Sequence, residues 1–401
     1  MPDAVARFRP TMGVTYPLLG LTHSGGKHEL GIKSYSLKSN FMTATDSWSY
    51  ELLEPYPDDM RDLVLQPVEI TVNGHSQVLG RVDSSEFGGK GSAAKLSGRD
   101  FIADLTECHV DPAIKLKENM SLDSAILLAC GPVGVTGVVF QNDVGLRNIR
   151  TGASLGNPPD PAFRAAKMEE YKSTPGESIF QFCNRIASRH GATIQPGLDR
   201  RSVVLAAPDY DQEPAYTLKR SLDAALSSSN NILSATCSRD LSSFPTHVMV
   251  TGKKGKGGKT KAPIFAEFDV DTSALQSSKI GNLVVVGRRP LEEPHSLPEG
   301  HLYRLRYLRD EDARSEAQIE RVSRRLMADR LKDTLRYSAE VLGHWDSNTG
   351  ATYAVDTMIR VEDEMCGISE DLWIEGREFR YQQGSGATTS LTCWRRDSFV
   401  L

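Results

Sequence analysis

Apolar and polar positions alternate along most of the chain, and this two-residue period predicts strands far more often than helices. Within residues 14–55 the runs VTYPLLGL, ELGIKSYSLKS and SWSYELLE alternate around the turn HSGGKH. Residues 68–82 (VEITVNGHSQVLGRV) place Asn73-Gly74 between alternating flanks, the strongest short-range hairpin signal. The next run, SSEFGGKGSAAKLSGRDFIADL, turns on Gly88-Gly89-Lys90-Gly91 and returns as a strand. Together these predict a first β-domain over residues 1–107.

The period changes near Cys108. Ser121 is a suitable N-cap for LDSAILLAC, and Gly131 with Pro132 stops that helix before the short strand GVTGVVF. Residues 152–161 read as a loop, and Thr174-Pro175-Gly176-Glu177 reads as a capping box. The helix behind it, ESIFQFCNRIASRH, sets Ile179, Phe182, Cys183 and Ile186 on one face. Gly191 ends it, and ATIQPGLDRRSVVLAAP follows as a hairpin. Residues 108–215 are therefore expected to form a small α/β region of two helix-then-strand units.

Strand character returns over residues 216–401, with an insertion at about 253–300. APIFAEFDVD, NLVVVGRRP and HLYRLRYLR supply strands joined by Pro-rich connections. One amphipathic helix is predicted over 311–335, with acids in its first half and bases in its second, as the helix dipole favours. Its apolar stripe is expected at Ile319, Val322, Leu326, Leu331 and Leu335. Residues 337–399 then form a β-meander, with turns at Asn348-Thr349-Gly350 and Gln383-Gly384-Ser385-Gly386.

The two β-regions share a phrase. Leu79-Gly80-Arg81, a Gly-rich turn, Leu96 and Arg99-Asp100-Phe101 in the first are echoed by Glu375-Gly376-Arg377, Gly384 to Gly386, Leu391 and Arg396-Asp397-Ser398-Phe399 in the last. If the echo is a duplication, three chains in a ring present six copies of one module, a route from threefold to quasi-sixfold symmetry. The fold class is α+β and mainly β.

Composition narrows the function. Against 47 Lys and Arg stand 52 Asp and Glu, a net charge of −5, so no global basic field favours nucleic acid. No apolar run approaches the roughly 20 residues of a membrane span, and no apolar segment follows Arg7 and Arg9 to make a secretory signal. Six dispersed cysteines (Cys108, Cys130, Cys183, Cys237, Cys366, Cys393) contain no C-x-x-C pair and read as free thiols. His23 and His28, the one close histidine pair, sit in a Gly-rich turn without metal-site spacing.

Candidate chemistry is sparse. Gly252, Gly258, Lys259 and Thr260 resemble a phosphate loop, but the glycines are one residue too far apart. Pro263 and IFAEFDV follow where a helix N-terminus is needed, so the lysine-rich loop 253–261 reads as a solvated hairpin connection. Asp58-Asp59, Asp310 to Asp312, Glu292-Glu293 and Glu362-Asp363-Glu364 are acidic clusters in strands or loops, and neighbours on a strand point to opposite faces. Arg99-Asp100 and Arg396-Asp397 read as local ion pairs, and Trp345, Trp373 and Trp394 as core or interface anchors. No G-x-S-x-G or H-E-x-x-H motif occurs. No catalytic, cofactor-binding or metal residue is nominated, and no cofactor or enzyme activity is expected.

The helix EAQIERVSRRLMADRL, the strand ending EVLGHW, the strand VDTMIRVEDEMCGI and the closing DLWIEGREF…GSGATTSLTCWRRDSF resemble baseplate hub proteins of contractile-tailed bacteriophages, of the Mu-like tail hub family. QVLGRVDSSEF…GSAAKLSGRDFIADL resembles the first β-domain of the same proteins, so the likeness covers about half the chain at its two ends. The resemblance implies two tail-tube-like β-barrel domains and a homotrimeric ring. It further implies the tail tube protein, the central spike protein and baseplate wedge proteins as partners. DNA would pass the lumen only transiently, in a virion baseplate assembled in the host cytoplasm. The short-helix texture of TPGESIFQFCNRIASRHGATI keeps open a second reading, a LysM-like peptidoglycan binder.

Overall fold

A computed structural model of the chain describes residues 4–8, 16–17, 21–23, 26–28, 32–52, 64–65, 67–72, 75–88, 94–116, 120–140, 172–189, 192–197, 199, 201–223, 229–240, 242, 244–245, 247–252, 264–270, 285–288, 304–310, 316–396 and 398. Nine strands come first: β1 (Ala4–Phe8), β2 (Tyr16–Pro17), β3 (Leu21–His23), β4 (Gly26–His28), β5 (Ile32–Asn40), β6 (Ser47–Leu52), β7 (Pro67–Val72), β8 (His75–Glu86) and β9 (Ala94–Asp100). Helices α1 (Ala103–Glu107) and α2 (Leu122–Cys130) lead to β10 (Gly137–Phe140), and α3 (Ile179–Arg189) leads to β11 (Thr193–Pro196) and β12 (Ser202–Ala206). Then come β13 (Tyr216–Arg220), β14 (Ile232–Ser238), β15 (His247–Gly252), β16 (Ile264–Val270), β17 (Val285–Arg288), β18 (Leu305–Asp310) and α4 (Glu316–Thr334). The chain finishes with β19 (Arg336–Leu342), β20 (Thr357–Asp363), β21 (Ile368–Gln382) and β22 (Gly386–Arg395).

The chain is mainly β, as its alternation predicts. The two predicted β-regions, however, share one sheet of 13 strands, ordered β14-β19-β22-β21-β5-β6-β9-β8-β7-β1-β2, with β20 and β13 branching from β21. Their joint is the antiparallel pair β21–β5, from Gly376 opposite Asn40 to Gln382 opposite Ser34. One core follows from one sheet. Tyr50, Val68 and Leu96 pack in the same cluster as Tyr337, Ile359 and Leu391. No closed barrel is found among the described residues.

The α/β region keeps its own core, in which Ile126, Phe182, Ile186, Ile194 and Val203 are buried. Its strand β12 pairs in parallel with β10 and in antiparallel with β11. Helix α3 buries Ile179, Phe182, Cys183 and Ile186 as its period requires. The capping box sits four residues later than the sequence suggests. Gly176 adopts φ +82°, so 174–177 is a turn in which the Thr174 amide donates to Glu177. Ser178 and Gln181 make the reciprocal bonds at the helix start, at 3.2 and 3.1 Å. Ser178→Ala is expected to cost about 1 kcal/mol in chemical denaturation, against a few tenths for Thr174→Ala. In α4 the buried face is Ile319, Ser323, Met327 and Ala328, while Val322 and Leu326 are only half-buried. Ser323 fits because its hydroxyl bonds back to the Ile319 carbonyl at 2.8 Å.

Two runs of strands repeat each other. The orders β5-β6-β9-β8-β7 and β14-β19-β22-β21-β20 agree, strand for strand. So do their irregularities. Register slips between Ile32 and Ser34 against β6, and between Ile232 and Ser234 against β19. Each serine then bonds the glutamate opposite it, Ser34 to Glu51 and Ser234 to Glu340. Bulges at Asp83 and Glu375 follow Val82 and Ile374. The two non-glycine residues with positive φ among those described, Leu65 at 68° and Asp356 at 60°, each donate their amide to the carbonyl before a bulge, that of Val82 or Ile374.

In this frame Leu96 and Leu391 are equivalent, both fully buried, as the echo suggested. Gly80 and Gly376 are not. Gly80 lies opposite Asp100, whereas Gly376 lies opposite Thr392, which makes Ser84 its counterpart. Each glycine answers its own close approach: a Cβ on Gly80 would meet the Arg99 carbonyl at 1.9 Å, and one on Gly376 the Asn40 amide at 3.0 Å. Gly98 is comparably tight and meets a side chain as well, with the Arg81 carbonyl at 2.0 Å and the Trp48 ring at 2.7 Å. Gly98→Ala should therefore cost about 2–3 kcal/mol, read from the midpoint of urea unfolding.

Candidate functional site: the polar face of the repeated sheet

Along each strand of this sheet one set of residues enters the core and the other faces away. Across β5 the inner set is Tyr35, Leu37 and Ser39, all buried, and the outer set is Ser34, Ser36 and Lys38. Register carries the outer set across the joint: Ser36 lies opposite Arg380 and Lys38 opposite Glu378 on β21. It continues through Ser390 and Thr392 on β22, Ser338 and Glu340 on β19, and Ser234 and Thr236 on β14. In the other direction it runs through Ser47 and Ser49 on β6, Ser97 on β9 and Ser84 on β8. Eight neighbouring strands thus present one face dominated by serine and threonine.

Its charges are matched within the face. Lys33 Nζ lies 2.7 Å from Glu51, and that bond holds the Glu51 carboxyl below its ordinary range. Burial opposes the charge on Glu378, but Arg380 and Ser36 outweigh it and keep the group ionised. Lys95 reaches Glu86 at 4.0 Å. Hydroxyls pair across strands as well, with Ser84 and Ser97 at 2.7 Å. A shallow depression of about 680 Å³ lies over the joint, lined by Tyr35, Glu51, Glu340, Arg380, Tyr381 and Gln383 among others. Such a surface offers many exchangeable hydrogen bonds and no block of one charge to hold a polyanion.

The sequence clusters resolve differently. Arg99 bonds Asp83 and Glu107, while Asp100 is buried and accepts the amides of Asp46 and Ile102, so the two do not pair. Asp363 is buried against Arg220 and Tyr337, whereas its neighbour Glu362 pairs with Arg360 on the other face. Trp373 is fully buried with its indole N–H on Asp356, and Trp394 is half-buried beside it. Arg395 closes β22 against Glu370, and Asp397, read as the partner of Arg396, lies outside the described residues. Loop 253–261, Glu292-Glu293 and Asp58-Asp59 lie outside the described residues. The strands flanking that loop, β15 and β16, are antiparallel neighbours. Among the described residues no cysteine is in a disulfide and no cluster of metal-binding side chains is found. None of their helices is long and apolar enough to cross a membrane.

The joint between the repeats has no local signature in the sequence. There Tyr35 O–H meets His344 Nε2 at 2.6 Å, and Arg377 bonds Gln77 and the Tyr353 carbonyl at 2.8 and 2.7 Å. All these partners are buried and come from opposite ends of the chain.

No protein-family model and no curated protein matches the sequence. Solved structures do match the fold. A tail protein from Neisseria meningitidis MC58 superposes with TM-score 0.69 at 18% identity, over 99% of this chain and 98% of its own. The 43 kDa tail protein of prophage MuSo2 from Shewanella oneidensis gives TM-score 0.67 at 16% identity over 99% of both chains. An E. coli type VI secretion component, described as similar to the phage T4 tail proteins gp27 and gp5, gives TM-score 0.51 at 9% identity, over 93% of this chain and 76% of that one. The chain has the fold of phage tail proteins.

Proposed function

We propose that the protein is the structural hub of a contractile-tail baseplate, a homotrimeric ring between the sixfold tail tube and the threefold central spike. One observation carries this: the two strand runs match in order, bulges and backbone strain, so three chains supply six near-equivalent modules. The tail-protein fold supports it. Residues 1–107 and 216–401 are the tube-like domains in this reading, and 108–215 is an accessory α/β domain. The polar face lines the lumen, where matched charges and dense hydroxyls let DNA pass without being held. Tube and spike proteins are the direct partners, with wedge proteins around the rim, in a virion baseplate assembled in the host cytoplasm. The role asks for no catalysis.

Mass photometry and electron microscopy of the purified protein test it. Trimeric rings, alone or with the spike protein, are expected; a strict monomer under both conditions overturns the reading. The peptidoglycan alternative gains nothing from α3, whose apolar face is spent in the core of the α/β region. A pull-down on peptidoglycan is expected to retain no more than background.

A further inference from the structure

We propose that Cys130 and Cys183 form a dithiol site, at which a low-molecular-weight disulfide such as oxidised glutathione is reduced and a covalent brace closes between α2 and α3. The chemistry stands apart from the ring reading above. Only its use, a brace set once a particle leaves a reducing compartment, rests on that reading.

Cys130 is the last residue of α2, and Cys183 lies in the second turn of α3. Their sulfurs approach to 3.6 Å inside one core, and both residues are fully buried. With the two sulfurs in contact, a small side-chain rotation is all that separates them from a bond. The residues are 53 positions apart, so that bond closes a long loop, the case in which a cross-link restricts the unfolded chain most. A metal site would need further ligands, and no suitable cluster is found among the described residues. As plain filling, two thiols offer each other only weak hydrogen bonds; what they add to a core is reactivity.

The closed pair is inert. Contact with Cys130, and burial after it, hold the Cys183 thiol well above the ordinary cysteine value, and a protonated thiol is a poor nucleophile. Reaction therefore starts from a local opening. The outer side of α2 exposes Leu127 and Leu128, and one short turn, Gly131–Val133, follows Cys130. Unwinding the last turn of α2 frees Cys130 and leaves α3 in place. The freed thiol gives its proton to water and attacks oxidised glutathione; the glutathione S–S bond breaks, one glutathione thiolate leaves, and a mixed disulfide remains. As the turn re-forms, the Cys183 sulfur attacks that of Cys130 and displaces the second glutathione, which takes the Cys183 proton. Two cysteine thiols have then lost two electrons, and one glutathione disulfide has become two thiols.

The test uses the full chain, purified reduced and then held folded in oxidised glutathione. Free thiols are blocked in denaturant, and the digested protein is read by mass spectrometry. A peptide linking Cys130 to Cys183 is expected, and reduction should abolish it. Cys108, exposed just past α1, should carry glutathione in the same sample and so show that the reagent acted. The linked protein should melt about 5 °C above the reduced one, a rise that Cys183→Ala does not show. Cys130 and Cys183 both recovered as free thiols beside a glutathione-bearing Cys108, or either one linked to Cys108 instead, overturn the site. A linked protein that melts no higher than the reduced one overturns the brace. The unaltered chain carries the linkage result, so the test holds even if Cys183→Ala fails to fold. Mass photometry of the same sample judges the ring reading separately, since neither outcome depends on whether rings form.

Discussion

Asp363→Ala is expected to lower unfolding stability by about 3–5 kcal/mol, the cost of stripping one partner from a buried charge pair. The Asp363 carboxylate is wholly buried at the end of β20. Arg220 at the end of β13 grips it with two bonds, at 2.9 and 2.6 Å, and the Tyr337 hydroxyl of β19 adds a third at 2.9 Å. The amides of Met365 and Cys366 complete the set at 3.0 and 3.2 Å. One carboxylate therefore ties two separate strands and a turn to β20. Burial alone would raise its pKa, but the bonds from Arg220 and Tyr337 prevail and hold it below the ordinary aspartate value. Because the folded value is the lower one, the stabilisation is complete above the unfolded pKa and is lost as pH falls through the folded one. At neutral pH the variant loses all of it and leaves Arg220 without its carboxylate. Urea unfolding should show a lower midpoint at an unchanged slope. Glu362→Ala, one residue back on the opposite face, should cost less than about 0.5 kcal/mol. Equal losses at the two positions would refute the clamp.

What the sequence made legible was local. The Asn73-Gly74 hairpin, the limits of α2, the apolar face of α3 and most strands of the meander follow from periods and turn residues within a dozen positions. The capping box slipped by four residues because Ser178-x-x-Gln181 and Thr174-x-x-Glu177 carry the same chemistry, and only the positive φ at Gly176 decides between them. The echo was half right for a related reason. Leu96 and Leu391 occupy matching core positions, and burial constrains both alike. The glycines respond instead to a neighbouring carbonyl or amide that no single-chain pattern reveals. The joint was invisible, since nothing near Ser34 announces that Gln382 will lie across from it. The polar face was lost with it, because each strand's outer serines read as an ordinary solvated side until register lines them up.

That joint makes stability depend on pH through one histidine. His344 is fully buried, its ring 4.5 Å from that of Phe379. The Thr389 hydroxyl donates to the Gly343 carbonyl at 2.5 Å, so its oxygen is left to accept from His344 Nδ1–H at 3.1 Å. Nε2 then carries the lone pair that accepts the Tyr35 hydroxyl at 2.6 Å. This arrangement needs the neutral ring. Burial, and after it the positive charge of Arg377, push the His344 pKa from 6.5 down to about 4. Below pH 6.5 the unfolded chain therefore binds a proton that the folded one refuses, and stability falls with pH until the folded ring titrates near 4. The depression corresponds to about 3 kcal/mol across that window. His344→Gln keeps a group that can meet Tyr35 but cannot titrate. It should be less stable than the parent at pH 7.5, with the gap between the two unfolding curves closing by about 2.5 kcal/mol as pH approaches 4.5. Taking the difference between the two proteins cancels the carboxylates and the other histidines, which both share. A gap that stays constant from pH 7.5 to 4.5 would show that His344 is not held neutral at the joint.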